Sequence, residues 1–557
     1  MIRRSVWFGA LLGAGLFGTV GSAAASQILI DNRDAGTAQG LDDPTPANPV
    51  GGNPGVTRGE QARIVFQFAA DLWGAVLQSD VPITVSASFA RLSCTATSGV
   101  LGSAGTNYVF GFDAPAPAGA LANTWYHSAL FDALAGEDAA PGQADITARF
   151  NGALGSTDCL EGASWYFGLD GKQPAGSIDF LNVVLHEMAH GLGFSGFGNL
   201  RTGLPFAGYP DVYSTFVFDN AQQKSWYAMT PTERVASALN DGKLVFTGAN
   251  VKAQAPFALA PLLQLRISAP AAAAGDYGFN QAAFGPVATP ANFSGGIVAA
   301  VTGANREGCT PFDNAAEVTG HLALVDRGSC AFTVKVDNAQ LAGATGVIIA
   351  NNQPGNVVAG GTPVNPVTIP VISVNQADGN TMKANLAGLS GGVVVGNTLA
   401  GADAAGHVQL YAPTVLAQGS SFSHYDTRLT PNALMEYAIS ADLAGQIDVD
   451  LTPALFKDEG WKLNEANQRL LGCDTDIPTI APGGVIVGAN VVASARLLAA
   501  AAGSLGEYRS AIHNYADRLA GDGLLSRRQA QRLDRCLNPA RTRQQFEAWG
   551  SGSGKQD

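Results

Sequence analysis

One stretch constrains this chain more than any other: His186-Glu187-Met188-Ala189-His190-Gly191-Leu192-Gly193-Phe194, of the form H-E-x-x-H-x-x-G. Residues four apart share one face of a helix, so His186 and His190 present two imidazoles to a single metal ion. Glu187 stands beside them, where a carboxylate can take a proton from a metal-activated water. Leu181, Val184, Leu185, Met188 and Leu192 recur at helical spacing and form the opposite, core-facing side. Gly193 is expected to end the helix in the left-handed conformation that glycine reaches without strain. Chance placement of two histidines is the plainer account, but only seven histidines occur in the chain.

At 557 residues the chain is too long for one core, so two to four domains are expected. Charged residues make up only 14% and there are 68 glycines, a composition that fits a folded, loop-rich protein with many strands. The net charge of −13 argues against a nucleic-acid partner. Arg3 and Arg4, an apolar run from Val6 to Val20 and the small residues Ala23-Ala24-Ala25 read as a signal peptide over residues 1–25. No later run is long enough to span a bilayer, so a secreted, periplasmic or cell-surface location is expected. In an exported chain six cysteines imply three disulfides, and the local set is Cys94–Cys159, Cys309–Cys330 and Cys473–Cys536, one of 15 possible connectivities.

Ser26 to about Arg58 reads as an extended entry segment. The pattern is helical from Glu60 to Leu77, strand-like from Val81 to Phe89, and helical again from Asn123 to Leu130. Asp145 to Asn151 and Ser164 to Phe167 read as strands, so an α+β layout is expected around the H-E-x-x-H helix. His127 reads as a packed histidine before a ligand. Leu451 to Trp461 reads as a short amphipathic helix. The tail, with helices over Val491–Ala502, Tyr508–Ala520 and Ser526–Leu537, carries an arginine-rich face best read as solvated.

From Gln264 to about Ala400 the composition turns to Gly, Ala, Val, Asn and Pro with short strand-like runs. Leu324-Val325-Asp326-Arg327-Gly328-Ser329-Cys330-Ala331-Phe332, then Lys335 and Asn338-Ala339-Gln340-Leu341-Ala342-Gly343-Ala344, followed by Ile348-Ile349-Ala350-Asn351-Asn352 and Ile369-Pro370-Val371-Ile372, resemble the protease-associated (PA) domain. The resemblance implies a non-catalytic module that contacts substrates or partners; Asp326 and Arg327 read as a structural turn. The expected division is 26–263, an inserted 264–400, 401–470 and a helical 471–557.

A catalytic zinc takes three protein ligands and keeps one position open. Gly196 stands where the simplest metzincin pattern has its third histidine, which leaves Asp211, Glu233 and His424 as candidates. His424, in Ser421-Phe422-Ser423-His424-Tyr425-Asp426, is followed by Pro431-Asn432-Ala433-Leu434-Met435-Glu436-Tyr437. Together with His186-Glu187-x-x-His190-x-Leu192-Gly193-Phe194-Ser195, these segments resemble the leishmanolysin-type metzincins, in which an inserted domain separates the third histidine. The resemblance implies a metzincin-like catalytic domain interrupted by the PA insert, with one Zn2+ on His186, His190 and His424. It further implies Glu187 as general base and Met435 as the structural Met-turn residue. Tyr437, two residues later, is a candidate for oxyanion stabilisation, and Asp426 for an acceptor behind a ligand histidine. Calcium is compatible with this reading, but no site for it is indicated.

The implied activity is zinc metalloendopeptidase, acting on protein or peptide substrates. The alternative is a degenerate scaffold that binds partners through its PA module, for which Glu187 would be superfluous. A purely structural metal would need a fourth protein ligand, and no paired-carboxylate motif marks a glycosidase. Cleavage preference, activation and oligomeric state are not written in the residues.

Overall fold

The computed structural model describes residues 25–355 and 357–550. The expected signal peptide lies outside these residues apart from Ala25, which bridges to Gln78. The chain forms two compact units: Pro261–Ala400, and the segments on either side of it.

In the first unit, β1 (Ile28–Asn32), α1 (Arg58–Val76), β2 (Ile83–Ala90), β3 (Gly102–Thr106), β4 (Ile146–Asn151) and α2 (Phe180–Leu192) build the frame. The sheet order is β1-β2-β4-β3. β1, β2 and β4 run parallel, and β3 pairs antiparallel at the edge. The stretch after Ser26 is therefore not a plain entry segment, because Ile28 sits opposite Ile83 and contributes a strand. Ile83, Val85 and Ala87 alternate inward along β2. Thr57 caps α1 by accepting from the Glu60 N–H at 3.2 Å, and Trp73 on α1 donates from Nε1 to the Leu185 carbonyl of α2 at 3.2 Å. Asp179 caps α2, and every residue of α2 is buried, as expected of a helix apolar on most sides. Trp125–His127 form a strand against Val109–Gly111, and the helix expected from Asn123 starts only at Ser128. Aromatic residues at 125 and 126 favour the pleated pairing. Cys94 and Cys159 are bonded here.

The second unit holds β5 (Pro261–Ala269), β6 (Ser294–Ala299), β7 (Leu322–Asp326), α3 (Phe332–Leu341), β8 (Gly346–Ala350), β9 (Val371–Val374), α4 (Gln376–Ala384) and β10 (Ser390–Leu399). β6, β7, β8 and β9 are parallel neighbours, and β5 and β10 pair antiparallel beside β6. Leu322 and Leu324 enter one core while Ala323 and Val325 enter the other, so this sheet is covered on both faces. Cys309 and Cys330 are bonded.

The chain re-enters the first unit through Val408–Gln409, which pairs with Leu244–Phe246. It then forms α5 (Thr452–Glu459), α6 (Val487–Ala501), α7 (Leu505–Gly521), α8 (Arg527–Cys536) and α9 (Pro539–Trp549). α9 was not expected from the sequence; Asn538 caps it with Pro539 in its first turn. Cys473 is bonded to Cys536. No described helix is long and apolar enough to cross a membrane.

Asp132, in the helix Ser128–Ala135, is 3% exposed. Burial pushes its carboxyl up to about 7; the Ala139 N–H, donating at 3.0 Å, opposes this, and the neighbouring Asp145 and Asp138 add to it. A folded-state value above the unfolded one penalises folding increasingly as pH rises from about 4 to about 7, and fully above that. Asp132→Asn keeps an oxygen for Ala139 and removes the charge. We expect it to stabilise the fold by about 1–2 kcal/mol at pH 8 and hardly at all at pH 4.5, in urea unfolding of both proteins at both pH values.

Candidate metal centre

α2 carries His186 and His190 one turn apart, and the return segment brings His424 against them. The three Nε2 atoms stand 3.1, 3.2 and 3.3 Å from one another. His190 and His424 are 234 residues apart in sequence. Each Nδ1 faces a backbone carbonyl, which can only accept. His186 donates to Leu434 at 2.6 Å, His190 to Phe194 at 2.8 Å and His424 to Ser420 at 2.8 Å. The proton of each neutral ring is therefore on Nδ1, and the three Nε2 atoms confront one another as bare lone pairs. Burial and the neighbouring His190 hold His186 down to about 3, and burial holds His190 down to about 4; burial also puts His424 well below the ordinary imidazole range. Protonation does not relieve the confrontation.

A cation does. At a Zn–N distance of 2.0–2.1 Å, tetrahedral ligands lie about 3.3–3.4 Å apart, close to the separations found here. Among the described residues this is the one cluster of three such side chains with ligand atoms within 4.8 Å of one another. The donor set fits zinc, with three neutral nitrogens and no fourth protein ligand among the described residues.

Glu187 is 6% exposed and lies against the edge strand β3. A Cβ on Gly102 would come within 2.6 Å of its Oε1, so the close approach requires glycine there. Burial pushes Glu187 up to about 8, and the Ala104 backbone N–H acts in the opposite direction. Asn151 N–H donates to the Leu101 carbonyl and Asn107 N–H to that of Asp145. The odd-numbered residues thus pair with β4, and Gly102, Ala104 and Thr106 turn their backbone groups to the open edge.

The other candidates lie elsewhere. Asp211 is buried, and its oxygens accept from the Phe197 and Ser214 N–H groups and the Tyr227 hydroxyl. Glu233 belongs to a capping box and pairs with Lys224 at 2.6 Å. Asp426 pairs with Arg428 at 3.0 Å and is no acceptor for a histidine; backbone carbonyls fill that role. Met435 is fully buried next to Leu434, and its carbonyl accepts from Tyr425 N–H at 2.9 Å. Tyr437 is 45% exposed and stacks on Tyr411 at 4.3 Å. His127 is buried, with Nε2 2.9 Å from Ser195 Oγ, while Ser195 reaches back to the His190 carbonyl at 3.4 Å.

Gly193 caps α2, but its φ of 163° is extended backbone, not the left-handed form expected. Glycine is needed for room: a Cβ there would meet Glu459 Oε2 at 2.2 Å. Glu459, on α5, is 1% exposed, and neither carboxylate oxygen has a hydrogen-bond partner. Burial, and then Asp211 and Asp458 nearby, push it far above the usual carboxylate range. Nothing in the sequence marked Glu459, because the contact depends on a tertiary approach.

Among known proteins, residues 293–382 match the PA domain family. Signal peptide peptidase-like 2 of Arabidopsis thaliana is 46% identical over 48 residues, 9% of this chain and 8% of that protein. Vacuolar-sorting receptor 2 of Arabidopsis thaliana is 31% identical over 139 residues, 22% of each. A solved zinc aminopeptidase from Bacillus subtilis aligns with 26% of this chain and 36% of its own, at 20% identity and a TM-score of 0.19. The chain spans at most 22% of the length of these two curated relatives.

The Gly193–Glu459 contact makes a measurable claim. Gly193→Ala should destabilise the fold by about 2–4 kcal/mol, and Glu459→Ala in the same chain should recover a good part of the loss. A double-mutant cycle in urea checks it; additive losses would show that the two positions do not touch.

Proposed function

We propose that the chain is a zinc-dependent endopeptidase of the metzincin type, with His186, His190 and His424 holding one zinc ion and Glu187 as general base. The observation that carries this reading is the convergence of three neutral imidazoles, lone pairs inward, beside a buried carboxylate. Bound zinc supplies Lewis acidity, which makes water nucleophilic near neutral pH and polarises the scissile carbonyl.

The protein's own groups do the rest. Glu187 takes the proton of the attacking water on a carboxylate oxygen and returns it to the leaving nitrogen. Burial strengthens its hold on that proton, and the Ala104 N–H keeps the carboxylate aimed along β3. The Leu434, Phe194 and Ser420 carbonyls fix the three imidazole tautomers. In this reading Met435 is the packed floor of the site.

The open edge of β3 supports a peptide substrate, since an extended chain can add there as a further strand without presenting its terminus. That favours cleavage within a chain over trimming from its end. Three disulfides suit an oxidising, extracellular setting. The relatives named above include a receptor as well as peptidases, so the activity rests on the histidine site and not on the PA module.

Zinc content and casein hydrolysis, measured on the same samples of wild type, His424→Ala and Glu187→Gln, test the reading. Wild type should hold one zinc per chain. His424→Ala should lose both metal and activity. Glu187→Gln should keep the metal and lose at least about a hundredfold in kcat. Full activity in Glu187→Gln or full zinc in His424→Ala would sink the mechanism, and a zinc-loaded but inert wild type would favour a binding scaffold.

A further inference from the structure

The three carbonyls that fix the histidine tautomers are not placed in the same way. Phe194 lies four residues after His190, and Ser420 four residues before His424, so each of those hydrogen bonds closes within one local turn. The Leu434 carbonyl meets His186 Nδ1 across a separation of 248 residues. Helical period sets His186 on α2, but no local turn decides where its acceptor stands. A contact from outside both segments has to place Leu434.

Asp450 makes that contact. Its Oδ2 accepts from the Leu434 N–H at 2.5 Å and its Oδ1 from the Leu451 N–H at 2.6 Å. Leu434 is buried, so its N–H would otherwise be a donor cut off from water with nothing to bond. A carboxylate suits the position because it offers acceptors only, one for each N–H.

The backbone of Asp450 is held as firmly as its side chain. Its N–H donates to Asp448 Oδ1 at 2.9 Å, and the Val449 N–H donates to the Gly484 carbonyl at 3.0 Å. Gly484 lies so close to the Asp450 carbonyl that a Cβ there has no room. Asp450 has a φ of 44°, a left-handed conformation that aspartate enters more readily than most side chains. Such a conformation persists only where the surroundings dictate it. At the other end of α5, Trp461 Nε1 donates to the Leu192 carbonyl at 2.8 Å, beside the turn that holds His190. The segment from Asp450 to Trp461 therefore braces α2 at both histidines.

We infer that Asp450 is a positioning residue for His186: by gripping the Leu434 N–H it sets where the Leu434 carbonyl meets Nδ1, and so aims Nε2 at the point the three histidines share. The consequence for metal binding rests on the zinc reading proposed above; the contact itself can be followed without metal. The plainer role, a cap on α5 and nothing more, predicts that His186 would not respond to the loss of Asp450.

Three variants of the full chain separate the two roles. Asp450→Gly removes both acceptors and keeps the left-handed backbone free of strain. Asp450→Asn keeps one acceptor. Asp458→Ala strips α5 of its bonds to the Asn250 and Val251 N–H groups, at 2.9 and 3.0 Å, and leaves Leu434 untouched. Each is labelled with 15N-histidine and examined by NMR without metal, with the His186 Nδ1–H resonance identified by its loss in His186→Ala. Zinc affinity is measured by competition with a chromophoric chelator, and stability by urea unfolding of the metal-free chain. In Asp450→Gly the His186 resonance should shift or be lost to solvent exchange while those of His190 and His424 stay in place, and zinc should bind about tenfold more weakly. Asp450→Asn should fall between Asp450→Gly and wild type. Asp458→Ala should lose stability and keep both the His186 resonance and the zinc affinity. An unmoved His186 resonance or undiminished zinc affinity in Asp450→Gly, or the same losses in Asp458→Ala, would overturn the inference. A wild type that takes up no zinc would count against the zinc reading alone, and the His186 resonance would still decide the role of Asp450.

Discussion

Three imidazole lone pairs held face to face are the constraint on which the rest of the first unit depends. Each ring is locked by a carbonyl from a different place: Phe194 in the turn after α2, Leu434 before the buried methionine, and Ser420 in the loop that carries His424. The repulsion this creates must be held in check by packing. Tyr213 hydroxyl donates to the Phe422 carbonyl, Tyr411 N–H to the His424 carbonyl and Trp461 Nε1 to the Leu192 carbonyl. Phe194 meets Tyr425 edge-on at 4.8 Å. Each such bond is worth about 1 kcal/mol net, so several together stabilise an arrangement that no single contact would. A cation at the centre turns the same repulsion into attraction, which is why the tautomers matter as much as the distances.

Behind the helix the chemistry is reversed. Asp211 and Glu459 are buried without an ion-pair partner among the described residues, and burial raises both carboxyls. The price of this layer is local: the chain after α2 has to be glycine at 193 so that the Glu459 carboxyl fits beneath it.

What was legible in the sequence follows from the range of each interaction. His186, Glu187 and His190 are set by helical period, so the residues alone bring them together. His424 was one of three candidates until a family resemblance favoured it. Its approach depends on Val408–Gln409 pairing with Leu244–Phe246, strands too short to leave a pattern. The acceptors behind the histidines leave no mark in the sequence because every residue has a carbonyl, whereas a side-chain acceptor such as Asp426 would have been visible. Gly193 was read as a conformational glycine when it is a steric one; the two cannot be told apart without the neighbour. α9 did carry a signal, Asn538 followed by Pro539, that apolar periodicity alone passed over.

The separation of His190 from His424 raises the question of what so long an excursion costs. Closing a flexible loop of roughly 140 residues would cost about 4 kcal/mol of chain entropy, a large share of an ordinary domain's stability. The second unit avoids that cost by its own topology. Its first and last strands, β5 and β10, pair antiparallel with Pro261 opposite Leu399, so its two ends emerge side by side. Once that sheet has formed, the first unit closes a gap no wider than a strand pair. The stability that brings the ends together is drawn from the insert's two buried cores and not from the histidine cluster. A third histidine can thus come from far along the chain without loosening the cluster it completes.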